Sequence, residues 1–262
     1  MATVLLPLAA FATALLGAVC GIGGGILLRP LLDAGFGMDA ATASFLSGCT
    51  VLAMASAAVL RSMAYAKKAR APKRNPRVSV ILSAGAAVGG ILGKQLFERA
   101  RRFFPDHTVG TAQAWMIFLM CAAVLAYLLM KKRIQLRKLA HPALIVGAGL
   151  GLGVISAFLG IGGGPFNHMV LSYFFGMDIK TGALHSLYIV LFSQAASFAV
   201  IAVTGAWPAF DWAALLLMAA AGALGGLIGS AVSKRAGQGH VEWTLRGALV
   251  LIMGVSVYNA AR

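Results

Sequence analysis

The chain has 262 residues, 60% of them hydrophobic and 11% charged, with a mean hydropathy of +0.87. Soluble domains carry about 25% charged residues, so this composition excludes an ordinary soluble enzyme, a disordered tail and a secreted scaffold. With 22 Lys+Arg against 7 Asp+Glu the net charge is +15, and its distribution along the chain decides what it means.

Apolar runs at about 3–28, 41–65, 78–97, 109–130, 143–164, 182–205, 211–233 and 243–260 predict eight crossings. Continuous runs near the ~20 residues that span a bilayer form helices, because lipid leaves no partner for unpaired backbone. The first run lacks the basic start of a signal peptide and has Val19 rather than a small residue before Cys20, so it reads as a retained helix. Arg61, Lys67, Lys68, Arg70, Lys73, Arg74 and Arg77 fill one hydrophilic break, and Lys131, Lys132, Arg133, Arg137 and Lys138 another, which together hold 12 of the 22 basic residues. Such segments directly after apolar runs are the pattern of cytoplasmic loops beside anionic headgroups. Without interleaved aromatics they give no support to nucleic-acid binding. On this reading the loop at Arg101, Arg102, Phe103, Phe104, Pro105 and Asp106 lies outside and both termini lie in the cytoplasm. Cys20, Cys49 and Cys121 show no metal or disulfide spacing and read as buried small hydrophobes.

Two shorter apolar stretches, 26–36 and 165–175, follow glycine clusters. At 1.5 Å per residue each spans about half a bilayer, as the second arm of a broken helix or a re-entrant hairpin does. The clusters themselves repeat: Gly21-Ile22-Gly23-Gly24-Gly25 recurs as Gly160-Ile161-Gly162-Gly163-Gly164, and the same offset of 139 carries Phe36-Gly37-Met38-Asp39 onto Phe175-Gly176-Met177-Asp178. Over residues 21–47, 12 of 27 positions are identical, and Gly89-Gly90-Ile91-Leu92-Gly93 recurs near Gly225–Gly229 at an offset of 136. These matches predict an all-α membrane protein of two homologous four-helix repeats, residues 1–138 and 139–262, each with a glycine-broken helix. If the short arms do not cross, the halves run parallel, as the loop charge favours; if each arm counts as a crossing, they are inverted.

Glycine breaks at matching places in two halves point to the binding site of a secondary transporter. Each helical glycine costs about 1 kcal/mol against alanine, and the amides freed by a break must face protein, water or a ligand. The end of a half-helix offers N–H groups and a positive dipole end to an anion. Gly89, Gly90 and Gly93 read instead as close-packing points between helices.

The glycine clusters, the apolar arm after each, and the Gly-Met-Asp and Thr segment that opens the next helix resemble the sulfite exporter TauE/SafE family over nearly the whole chain. The resemblance implies movement of small anions, chiefly sulfite and organosulfur compounds such as sulfonates, across the bacterial inner membrane. The first copy keeps the proline expected after the glycines, Pro30, while the second has Met169 there and a proline at Pro165. Arg29 aligns with His168, and Leu46 with His185, so the repeats would build an asymmetric site.

The expected substrate-binding residues are Gly21, Gly23, Gly24, Gly25, Arg29, Gly160, Gly162, Gly163, Gly164, Asn167, His168, His185 and Ser186. Arg29 suits an oxyanion because its guanidinium binds bidentately and stays charged; the competing readings are snorkelling or an ion pair with Asp33. His168 offers a hydrogen bond and a charge that changes near neutral pH. Ser193 and Gln194 read as helix–helix contacts, and Asp39 and Asp178 as helix starts. No GxSG occurs, Asp39 falls one residue too late for GxGD, and no Walker lysine, HExxH or CxxC is present. No catalytic, metal or cofactor site is therefore expected. The expectation is a carrier in the bacterial inner membrane, with the bilayer and a small anion as partners, the anion coupled to an ion gradient. A homo-oligomer is compatible with it, and the alternatives are an accessory or scaffold subunit and a passive anion channel.

Overall fold

The computed structural model describes residues 2–68, 76–131, 141–161 and 163–261; Gly162, Arg70, Lys73, Arg74, Lys132, Arg133, Arg137 and Lys138 lie outside the described residues. Its elements are α1 (Ala2–Cys20), α2 (Gly25–Phe36), α3 (Ala40–Lys68), α4 (Pro76–Phe103), α5 (Asp106–Met130), α6 (Pro142–Leu159), α7 (Pro165–Phe175), α8 (Ile179–Thr204), α9 (Trp212–Arg235) and α10 (Gln238–Ala261). Seven helices are long and apolar enough to cross a membrane, and α1 contributes a shorter apolar stretch at Val4–Cys20. The all-α class and the expected number of apolar helices, about eight, are borne out: seven long candidate spans and the shorter α1, with α2 and α7 as the two short arms.

The arms reverse the chain. A side chain on Gly24 would strike the carbonyl of Thr13 at 2.6 Å and Ala14 at 2.8 Å, while Leu6 and Ala10 share a core with Leu28 and Leu32. Thus α2 runs back along α1, and together they make a hairpin whose two outer ends lie on one face. That face also holds the start of α3, the start of α5, the end of α10 and the α8–α9 loop: Asp39, His107 and Asn259 line one cavity, and Thr42 Oγ1 donates to the Ala209 carbonyl at 3.0 Å. On the opposite face, Gln238 Nε2 donates to Asp178 at 2.9 Å and Lys180 Nζ donates to the Lys234 carbonyl at 3.4 Å. Helix α3 therefore starts on the Asp39 face and α8 on the Lys131 face.

The structure differs from the direction that loop charge favours: α3 and α8, the helices that follow the two arms, start on opposite faces. The physical reason is parity: α2 runs back along α1, so the chain enters α3 from the face on which it began. The expectation for the termini changes with it. Helix α1 begins and α10 ends on the face opposite the ends of α3 and α5, which lead into the two basic segments.

Glycines set the closest seams, and those seams join the halves. Gly85, Gly89 and Gly93 of α4 lie against the backbone of Val146, Leu150 and Val154 of α6, and Gly225 and Gly229 of α9 against the carbonyls of Phe11 and Leu15 of α1. Gly90 meets Ser193 of α8, and Gly226 meets Met54 of α3. Small residues of this kind let membrane helices approach where hydrophobicity supplies no attraction between them. The packing reading of Gly89, Gly90 and Gly93 agrees with these contacts.

Helix ends follow local chemistry. Asp39 accepts hydrogen bonds from the amides of Ala41 and Thr42 at 2.9 and 3.0 Å, and Asp178 from Thr181 at 3.2 Å; both aspartates are N-caps, as read. Gly37 and Gly176 end α2 and α7 in the left-handed conformation, with φ of 62° and 61°, which a side chain would strain. Burial alone would raise the Asp39 pKa. Hydrogen bonds from Thr42 and Ala41, with the charge of Arg101, outweigh that and hold it below the usual carboxylate value.

Gly229→Ala, whose Cβ would lie 2.5 Å from the Leu15 carbonyl, is expected to lower the thermal midpoint of purified protein by an overpacking cost of about 1–3 kcal/mol. Gly147→Ala, which meets nothing within 4 Å, is expected to leave the midpoint unchanged or raise it. Asp39→Ala should cost about 1 kcal/mol at neutral pH. Because the folded pKa is depressed, the charged cap stabilises above the unfolded value of about 3.9, and the gap between wild type and variant should narrow as pH falls through the folded value.

Candidate anion site

The two glycine loops cross at the centre of the bundle. Gly21 and Gly23 have φ of 72° and 71°, and Gly163 and Gly164 of 109° and 127°, conformations that glycine adopts at little cost. A Cβ on Gly25 would lie 2.5 Å from the Ile161 carbonyl, and one on Gly164 would lie 3.3 Å from the Ile26 side chain. Gly21 lies against Ala183 of α8 and Gly160 against Ser44 of α3, positions again 139 apart. Part of the freed backbone is satisfied locally: Ile22 N–H donates to Gly17 at 3.0 Å, Leu28 N–H to Gly24 at 2.9 Å and Asn167 N–H to Gly164 at 3.1 Å. Close packing is thus one role of both clusters.

Arg29 sits beside this crossing, 4% exposed. A charge at the centre of a membrane helix costs about 2.5–3.5 kcal/mol on insertion scales, so its partners matter. Its Nε donates to Ser44 Oγ at 2.9 Å and a terminal nitrogen to Gln113 Oε1, while Gln113 Nε2 donates to the Phe158 carbonyl at 2.6 Å. One guanidinium therefore ties α2 to α3, to α5 and, through Gln113, to the end of α6. The side chain is held inside rather than snorkelling.

A small cavity of about 10 Å³ is lined by Arg29, Pro30, Asp33, Gly110, Ser256 and Asn259 among others, at the threshold for a single water. Ser256 Oγ and Asn259 Oδ1 are buried there without a hydrogen-bond partner, and Asn259 Nδ2 donates to the Pro30 carbonyl at 3.0 Å. Asp33, Gly110 and Asn259 also line a larger cavity of about 310 Å³ at the Asp39 face, with Gly37, Asp39 and His107. This vestibule and the arginine's cavity thus share part of their wall.

The candidates of the second half lie elsewhere. His168, also 4% exposed, faces the backbone of Cys20 and Gly21, at the end of α1 nearer the Lys131 face, and its Nε2 is buried without a partner. Asn167 Nδ2 donates to Ser186 Oγ at 3.0 Å, and His185 is buried on α8. None of these four lines the Arg29 cavity. Arg29 and His168 do not share a site: each arm places its basic residue at the glycine loop of the other half, on opposite sides of the crossing.

Sequence reading missed Ser44, Gln113, Ser256 and Asn259. Gln113 and Asn259 carry a signal, since each is a polar amide within an apolar run. Ser44 and Ser256 carry none, because small hydroxyls are common inside membrane helices.

Short arms that meet at the centre of the helical bundle, with a buried arginine beside them and a cavity on one face nearby, fit a membrane transporter. The family model described as sulfite exporter TauE/SafE matches residues 6–257, and the chain belongs to that family. It is thus a multi-pass membrane protein of a transporter family. No curated protein and no solved structure matches the chain.

Arg29→Met is expected to lower the thermal midpoint, since Gln113 Oε1 and Ser44 Oγ lose their buried donor at about 1–3 kcal/mol. Arg29→Lys should lose less, because the ammonium keeps the charge but cannot bridge both partners as the planar fork does.

Proposed function

We propose that this chain is a secondary transporter of small anions, sulfite, sulfonates or related organosulfur and carboxylate anions, across the bacterial inner membrane and coupled to an ion gradient. The observation that carries this reading is the buried Arg29 at the end of a cavity continuous in its lining with the vestibule on the Asp39 face. A guanidinium with the Ser256 hydroxyl beside it supplies the donors a compact oxyanion accepts, whereas Asn259, whose Nδ2 is taken by the Pro30 carbonyl, bounds the cavity without donating to the anion. Family membership supports the same class of cargo.

Residues 1–138 and 139–262 are read as inverted repeats, supported by packing partners that correspond position by position: Gly89 with Leu150, Gly225 with Phe11. The face that carries Arg61, Lys131, Lys180, Lys234 and Arg235 is assigned to the cytoplasm by its charge, so the vestibule opens outward. Alternating access then moves α1, α3 and α9 against α6, α4 and α8. These bodies are joined by glycine seams across the halves, so neither repeat rocks as a block.

Uptake of labelled sulfite and of a small sulfonate by proteoliposomes, with and without an imposed pH gradient, tests the reading. Saturable, gradient-dependent flux is expected in wild type, with KM raised about tenfold or more in Arg29→Lys and flux lost in Arg29→Met. Flux that does not saturate would make the protein a passive channel. Background flux in all three would remove these anions as cargo and favour an accessory subunit.

A further inference from the structure

Lys94 of α4 has no role in the site above. It is 6% exposed, within an apolar stretch, with its ammonium 2.7 Å from Glu98 Oε1 and 4.9 Å from the centre of the Phe97 ring. An (i, i+4) ion pair contributes only about 0.3–0.5 kcal/mol, far less than burying a lysine at membrane depth costs. The fold does not require this charge: the position aligned with Lys94 in the second half, 136 residues on, is Ser230, which lies in the matching turn of α9. Glu98, more exposed than Lys94, also lies 3.9 Å from Arg101.

Lys94 lines a cavity of about 30 Å³ with Ser44, Cys49, Gly160 and Gln194, roofed by Phe45 and Phe198. Gln194 is 5% exposed, its Oε1 rests against Gly48 and its Nε2 is buried without a hydrogen-bond partner. An ammonium and an unpaired amide donor therefore line one cavity, next to the second glycine loop. Ser44 belongs to this wall and also accepts the hydrogen bond from Arg29. Ser44 therefore links the wall of this cavity to the arginine of the other.

We propose that Lys94, Gln194 and Ser44 form a second anion station, which receives a small oxyanion from Arg29, and that the Glu98 carboxylate occupies Lys94 when no anion is present. The proposal takes its ligand class from the anion-carrier reading, but it concerns a site that reading does not use. The cavity now admits about one water by volume, so an anion of the size of sulfite enters as Lys94 swings from Glu98 and the aromatic roof gives way. Phe198 stacks edge-on with Trp207 at 6.0 Å, and Phe45 with Trp207 at 5.8 Å; that cluster is the roof.

The test is anion binding to purified protein, read as the shift of the thermal midpoint with sulfite, methanesulfonate or chloride, alongside sulfite flux in proteoliposomes. Glu98→Gln removes the competing carboxylate and keeps Lys94, so sulfite and methanesulfonate should bind about tenfold more tightly than to wild type, while Lys94→Met with Glu98→Gln should lose that gain. Should the double variant fail to fold, Gln194→Leu with Glu98→Gln decides, with several-fold weaker binding than Glu98→Gln expected. Equal affinity in wild type and Glu98→Gln overturns the station, as does a gain for chloride alone. Saturable wild-type flux with no change in Glu98→Gln sinks the station and leaves the carrier; binding gained in Glu98→Gln without flux in any protein keeps the station and sinks the carrier.

Discussion

The structure depends on how closely two backbones can approach when no side chain stands between them. At Gly25 and Ile161 the two broken helices touch at a distance no Cβ would allow, and the same is true along the α4–α6 and α1–α9 seams. In a bilayer the tails are as apolar as the helices, so association rests on van der Waals contact and on the few polar bonds that close approach permits. Glycine supplies that approach, and it does so between the halves of the chain rather than within them.

Bonding at the crossing follows from that geometry. Because the loops meet, the arm of one half reaches the turn of the other: Arg29 reaches Ser44 and, through Gln113, the Phe158 carbonyl, and His168 faces Cys20 and Gly21. A buried guanidinium in this setting both holds four helices together and presents charge to a cavity. Its structural partners are polar and its cavity contains unpaired oxygens on Ser256 and Asn259. Full satisfaction would make it a strut alone; the unpaired oxygens beside it are what the proposed site rests on.

Helix number, the short arms and the glycine breaks were legible because they are written in local composition and in the offset of 139. Arg29 and His168 stood out as lone ionisable residues in apolar arms. The direction of the second half was not legible, because loop charge reports which loops share a face but not whether a broken helix crosses or doubles back. That depends on contacts such as Gly24 with Thr13, eleven residues apart, which no periodicity records. Nor could sequence separate Arg29 from His168, since the arms that carry them run toward opposite faces and place them on opposite sides of the crossing. Gln113 and Asn259 were readable as amides within apolar runs, yet their connection to Arg29 spans 84 and about 230 positions of chain.

Selenite is a heavier congener of sulfite with the same pyramidal shape, and its selenium can be located by anomalous scattering in crystals of the protein. A peak within hydrogen-bonding reach of Arg29, in the cavity bounded by Ser256 and Asn259, is the expected result. Saturating selenite with no peak at Arg29, in crystals where the guanidinium still bridges Ser44 and Gln113, would contradict the assignment and leave that arginine a purely structural tie.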